Sequence, residues 1–182
     1  MYFIARVASL IDALNEYVGR MASWMTLGAV LLCFLVVVLR YAFSIGFPWM
    51  QELYIWQHAC VFMLGAGYTM LHRGHVSVDI MYNRWSARTQ AWVDIICVIV
   101  FMFPWLFVIA FTSSRFILGS WSILEASPQA AGMPGVFLFK TTIWIFCALL
   151  SLQGLSLICR RILFLNDWKP TEDSSSAQQD LV

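Results

Sequence analysis

Four stretches with almost no charge, each about as long as a bilayer is thick, restrict this chain more than any other feature. Residues 21–39, 95–114 and 141–159 contain no charged side chain, and residues 53–71 contain one basic or acidic group, His58. A helix needs about 20 residues to cross the ~30 Å hydrocarbon layer, and each stretch meets that length and is bounded by charged or turn-forming residues. Composition agrees: 61% of the 182 residues are hydrophobic and 12% charged, against about 45–50% and about 25% in soluble domains. A transmembrane barrel would alternate apolar and polar residues over ten-residue segments, and no such segments occur. The expected fold is all-α, an integral membrane bundle of four transmembrane helices in a domain over 21–165, with spans at about 21–42, 49–72, 91–117 and 135–162.

Lys and Arg orient the bundle. Arg6 and Arg20 precede span one, Arg73, Arg84 and Arg88 lie between spans two and three, and Arg160, Arg161 and Lys169 follow span four. Only Arg40, Arg115 and Lys140 fall on the other side, close to span ends where they can snorkel. The positive-inside rule then places both termini in the cytoplasm. Loops 44–52 and 119–135 face outward.

Residues 1–20 lack the continuous apolar core of a cleavable signal peptide. Ile4, Val7, Ile11, Leu14 and Val18 recur at helical spacing among Arg6, Ser9, Asp12, Asn15 and Glu16. This predicts an amphipathic helix lying in the interface; the alternative is a plain extension of span one. The polar residues from 166 to 182 predict a disordered cytoplasmic tail.

Local signals mark the span ends. Pro48 suits a first helical position, and Glu52 follows where the helix dipole favours an anion. Gly74 suits a helix stop in the left-handed conformation. Asp79 can cap a short helix over residues 80–85. Pro104 predicts a kink in span three. Loop 119–135 holds Pro128, Pro134 and three glycines beside Trp121, Ile123 and Leu124, so it either folds back on the membrane or meets a partner.

Chemistry is scarce. The five cysteines all lie in apolar runs, with no metal-type spacing. A bis-His haem needs imidazoles on facing helices, yet His58 stands alone inside the spans. Ion coupling needs ionisable groups at bilayer depth, whereas Glu52, Asp79, Asp94, Arg115 and Glu125 lie at span ends or in loops. No hydrolase constellation or phosphate-binding loop is present, and a net charge of +1 gives no case for nucleic acid. Packing features remain. Gly65, Ala66 and Gly67 permit close helix approach, within the bundle or against another chain. Trp49, Glu52 and Trp56 share one helical face, which either binds a partner or serves as a cap flanked by interfacial anchors.

The run RYAF (residues 40–43), then FPWMQEL, LGAGY and RGHVSVD, resembles in order and spacing the small permease subunit, DctQ type, of tripartite ATP-independent periplasmic (TRAP) transporters. The resemblance covers about residues 20–165. It implies a non-enzymatic subunit that scaffolds a large sodium-coupled elevator permease subunit for uptake of an organic acid. A periplasmic binding protein delivers the substrate. It implies no cofactor in this chain, with sodium on the large subunit, and membrane lipids around it. The motif residues carried over are Arg40, Tyr41 and Phe43; Trp49, Glu52, Leu53 and Trp56; Gly65; and Gly74, His75, Val76 and Asp79. Trp121, Glu125, Pro128 and Pro134 mark the outer loop. Gln51 stands where family members often carry a second acid. Two other readings remain: a membrane anchor of a redox complex with haem or quinone shared between chains, and a stand-alone proton-coupled carrier.

Overall fold

A computed structural model describes residues 1–75, 82 and 84–166, and the elements among these are all helical. α1 runs unbroken over Tyr2–Ala42. α2 spans Pro48–Leu71. α3 (Ala87–Cys97) passes through a π turn (Val98–Met102) into α4 (Phe103–Ser122), and α5 covers Val136–Leu165. Among the described residues, three helical runs are long and apolar enough to cross a membrane: α1, the joined α3–α4 segment, and α5. α2 has 24 residues, or about 36 Å of rise, but Gln51, Glu52, Gln57 and His58 dilute its apolar character.

The separate N-terminal helix expected over 1–20 does not form. Residues 2–20 are the first half of α1, and the face they bury differs from the apolar stripe read in the sequence. Ala8, Ile11, Asp12, Asn15, Gly19 and Ala22 are buried, whereas Leu10, Leu14 and Tyr17 are exposed. The cause is tertiary. Small and hydrogen-bonding residues, with Ile11, are drawn against α2 and α5, while Leu10, Leu14 and Tyr17 turn outward.

α5 is the central helix, packed against α1, α2, α3, the π turn and α4. Leu106, Cys147 and Leu150 form a buried cluster with Ala66, Met70 and Met102 where α2, α4 and α5 meet. α2 returns antiparallel along α1, since Gly67 faces Asn15 and Gly28 faces Gln57. Gly154 sits against Val98 and Met102 of the π turn; a Cβ there would fall 2.1 Å from the Met102 methyl.

Pro104 does not produce a plain α-helical kink. The turn before it widens, and the Phe103 N–H bonds to the Val98 carbonyl five residues back. Proline has no N–H for its own i−4 carbonyl, and the π turn absorbs that mismatch. Pro48 starts α2 as expected. The stop of α2 is a Schellman motif: the Arg73 N–H bonds to the Met70 carbonyl at 3.2 Å and the Gly74 N–H to the Thr69 carbonyl at 2.8 Å. The left-handed position is taken by Arg73 (φ 53°), not by Gly74. Of the helix expected over 80–85, residues 80, 81 and 83 lie outside the described residues, as do its cap Asp79, Val76 and the tail beyond Asn166; Arg84 and Trp85 are in a turn and a bend, not a helix.

Candidate functional site

Polar side chains concentrate at the two ends of the bundle. At the end where α1 begins and α5 finishes, Asp12 is the hub. Its Oδ1 accepts hydrogen bonds from the Ser156 hydroxyl (2.6 Å) and the Gln153 amide (3.0 Å). Its Oδ2 accepts from Arg160, with Nε at 2.7 Å and Nη2 also in contact. Gln153 in turn accepts from the Asn15 amide at 2.9 Å. Asp12, Asn15, Gln153 and Ser156 are all less than a tenth exposed, so the network lies between α1 and α5. The Asn15 Oδ1 is buried without a hydrogen-bond partner and points at Gly67.

Two further clusters close this end. Glu16 accepts from His72 (2.7 Å) and Arg20 (2.8 Å), joining α1 to the end of α2. Asp94 pairs with Arg161 at 2.5 Å and accepts the Tyr82 hydroxyl at 2.9 Å. Burial and the Asp94 contact both raise the Tyr82 phenol above its ordinary range, so it remains the donor.

The opposite end is organised by Glu52. This residue is 9% exposed. Its carboxylate accepts the Met133 N–H at 2.7 Å and the Ser127 hydroxyl. The Ser127 N–H meets the Met133 carbonyl at 3.1 Å, and an isolated bridge joins Ala126 to Pro134. The loop after α4 is thus pinned to α2 through one carboxylate. Gly132 is required there, because a Cβ would stand 2.5 Å from the Ser127 hydroxyl and 3.0 Å from the Glu52 carboxylate.

The first turns of α5 complete this end. Trp56 stacks on Phe139 with ring centres 5.1 Å apart. Trp121 donates to the Thr141 hydroxyl at 2.9 Å and packs edge-on against Phe137. Lys140 pairs with Glu125 and lies 3.8 Å above the Phe116 ring. Glu52, Trp56, Ala59, Met63, Phe139 and Lys140 line part of a mostly apolar cavity of about 310 Å³ between α2 and α5.

The Lys140 ammonium holds the Glu125 carboxyl below its usual value of 4.5. A depressed folded-state value contributes stability above the unfolded value and loses it as pH falls through the folded value. The loop should therefore loosen only below about pH 4.5, the usual carboxylate value. Trp121 fluorescence of the purified chain, scanned from pH 7 downward, should change in that range, and Glu125→Gln should abolish the transition.

The family profile of the DctQ component of tripartite ATP-independent periplasmic transporters matches residues 7–164. The chain belongs to the DctQ family. No curated protein and no solved structure matches it significantly. DctQ proteins are small membrane components of TRAP transporters, a family of transporter parts rather than of enzymes.

This DctQ chain separates residues that the sequence grouped. Trp49, Glu52 and Trp56 do not present one common surface: Glu52 and Trp56 turn inward to the loop and α5, while Trp49 is 42% exposed beside Phe47. Glu52 is not in the first turn of α2; its partners are the loop donors. Gly65 and Gly67 also diverge, with Gly67 buried against Asn15 and Gly65 facing open space. Arg40 and Tyr41 are exposed at the end of α1, Tyr41 by 81%. Arg40 borders a shallow hollow of mixed polarity with Ser44, Ile45, Pro48 and Gln51. Pro128 lines the cavity and Pro134 closes the loop bridge. His75 is exposed, and Val76 and Asp79 of the same motif lie outside the described residues.

The Asp12 network of this DctQ chain was not foreseen from its sequence. Its signal was present: Asp12, Asn15 and Glu16 on α1 and Gln153, Ser156 and Arg160 on α5 recur at three- and four-residue spacing. Among the described residues, no three His, Cys, Asp or Glu side chains gather to hold a metal ion.

Proposed function

We infer that this TRAP transporter subunit is a rigid scaffold, held in a bacterial inner membrane by four crossings with both termini in the cytoplasm. The observation that carries the reading is where its buried polar groups are used. Asp12, Gln153 and Ser156 brace one end of the bundle and Glu52 the other, each bonded to its own chain. A carrier needs polar groups exposed to a substrate path near mid-membrane, whereas these are consumed in holding helices together. The antiparallel run of α2 along α1 supports counting α2 as the fourth crossing. On this reading the large permease subunit carries sodium and substrate, an organic acid arrives on a periplasmic binding protein, and this chain needs no cofactor.

Glu52 then acts at one remove. It sets the shape of loop 119–135, and the loop, with Ile123 and Leu124 exposed, meets the periplasmic protein. Glu52→Gln replaces a charge-assisted acceptor by a weaker one and puts an amide N–H₂ where two donors converge. In the reconstituted three-component system, uptake should fall about tenfold, the equivalent of one lost bond to a charged group. The yield of the membrane complex should stay the same. Wild-type uptake by this variant would overturn the loop's docking role.

A further inference from the structure

The outward face of α2 carries a polar group that hydrocarbon cannot satisfy. Ile55, His58, Phe62 and Gly65 follow at spacings of three, four and three residues and so share one helix face. Ile55 is 53% and Phe62 69% exposed, and His58 is exposed between them. His58 lies ten residues beyond Pro48, the start of α2, or about 15 Å into the helix. Its ring meets Phe62 edge-on at 4.9 Å. Among the described residues it makes no hydrogen bond within the chain. An imidazole keeps at least one N–H donor in either protonation state, and an unpaired donor in lipid is costly enough that such residues face protein or water.

Gly65 supplies the second, independent observation. Among the described residues, no atom beyond the adjacent backbone of α2 itself lies within 4 Å of the place a Cβ would take, so no other helix of the chain covers α2 there. Gly67, two residues on, is filled by Asn15. The fold therefore uses one glycine of the pair internally and leaves the other open, on the same face as the unpaired imidazole.

We propose that this face of α2 seats a transmembrane helix of the large permease subunit. That helix packs into the notch at Gly65 and places a hydrogen-bonding side chain opposite His58. The proposal rests on the scaffold reading and adds to it the contact surface and the chemistry of the partner. Polarity decides the occupant, because acyl chains offer no acceptor for an N–H group.

The test uses the chain co-expressed with its large subunit in native membranes. A photoreactive benzoylphenylalanine in place of Phe62 should form an adduct with the large subunit on irradiation. The same probe in place of Phe111, 71% exposed on α4, should not. An adduct between two copies of this chain, or with lipid alone, overturns the proposal. His58→Leu should reduce recovery of the complex in detergent by about tenfold, and His58→Asn should restore most of it. Gly65→Leu should abolish the complex while the isolated chain melts near the wild-type temperature, because the place its Cβ takes is open. Wild-type recovery in both His58→Leu and Gly65→Leu overturns the proposal. If the unmodified chain itself fails to co-purify with the large subunit, the scaffold reading falls as well.

Discussion

Asp12→Ala should destabilise the isolated subunit by about 3 kcal/mol, the typical loss when one partner of a buried pair is removed. The reason is the number of groups that depend on one carboxylate. Ser156, Gln153 and Arg160 all donate to it, and the first two stay buried when it is gone. Each stranded buried donor costs about 1–3 kcal/mol before relaxation. Arg160 is half exposed, so water recovers part of its loss. Asp12→Asn should cost less, because the amide oxygen still accepts one of the donors. Thermal unfolding in a mild detergent, followed by helical circular dichroism, should rank wild type above Asp12→Asn above Asp12→Ala. A melting temperature for Asp12→Ala equal to the wild type would show that α1 is not clamped to α5 through this residue.

Gly67→Ala should be as damaging, through sterics rather than hydrogen bonding. A Cβ at Gly67 would lie 2.0 Å from the Asn15 Oδ1 and 3.4 Å from the Leu149 carbonyl. Three helices meet there: α1 through Asn15, α2 through Gly67 and α5 through Leu149. Overpacking a tight contact costs about 1–3 kcal/mol, and displacing Asn15 would also strain its bond to Gln153. Gly65→Ala provides the control, because alanine at that open position should leave the isolated chain unchanged or slightly more stable. Equal melting temperatures for the two alanine variants would contradict the assigned helix faces.

These residues show how far the sequence reaches. Pro48 marks where α2 begins, because such a signal acts within a few residues, whereas the first apolar run does not mark the start of α1, which begins at Tyr2. The motif order from RYAF to RGHVSVD carries the family, which the match over residues 7–164 establishes. The amphipathic reading of residues 4–18 failed for a definite reason: it assigned the apolar stripe to the membrane surface, while the fold buries Asp12 and Asn15. A polar residue in a helix reads as solvent-facing until its partner is known, and here the partners stand about 140 positions away on α5.

The sequence by itself therefore determined the helical class, the extent of the apolar segments and the family. Each follows from local hydropathy, turn chemistry or motif order. Only the tertiary structure decided which face of each helix is occupied. It turned Glu52 toward Ser127 and Met133, set Gly67 against Asn15, and left His58 and Gly65 facing outward. Helical periodicity gives the relative angles of side chains around a helix but not the absolute direction of any face. That direction is fixed when one helix packs against another.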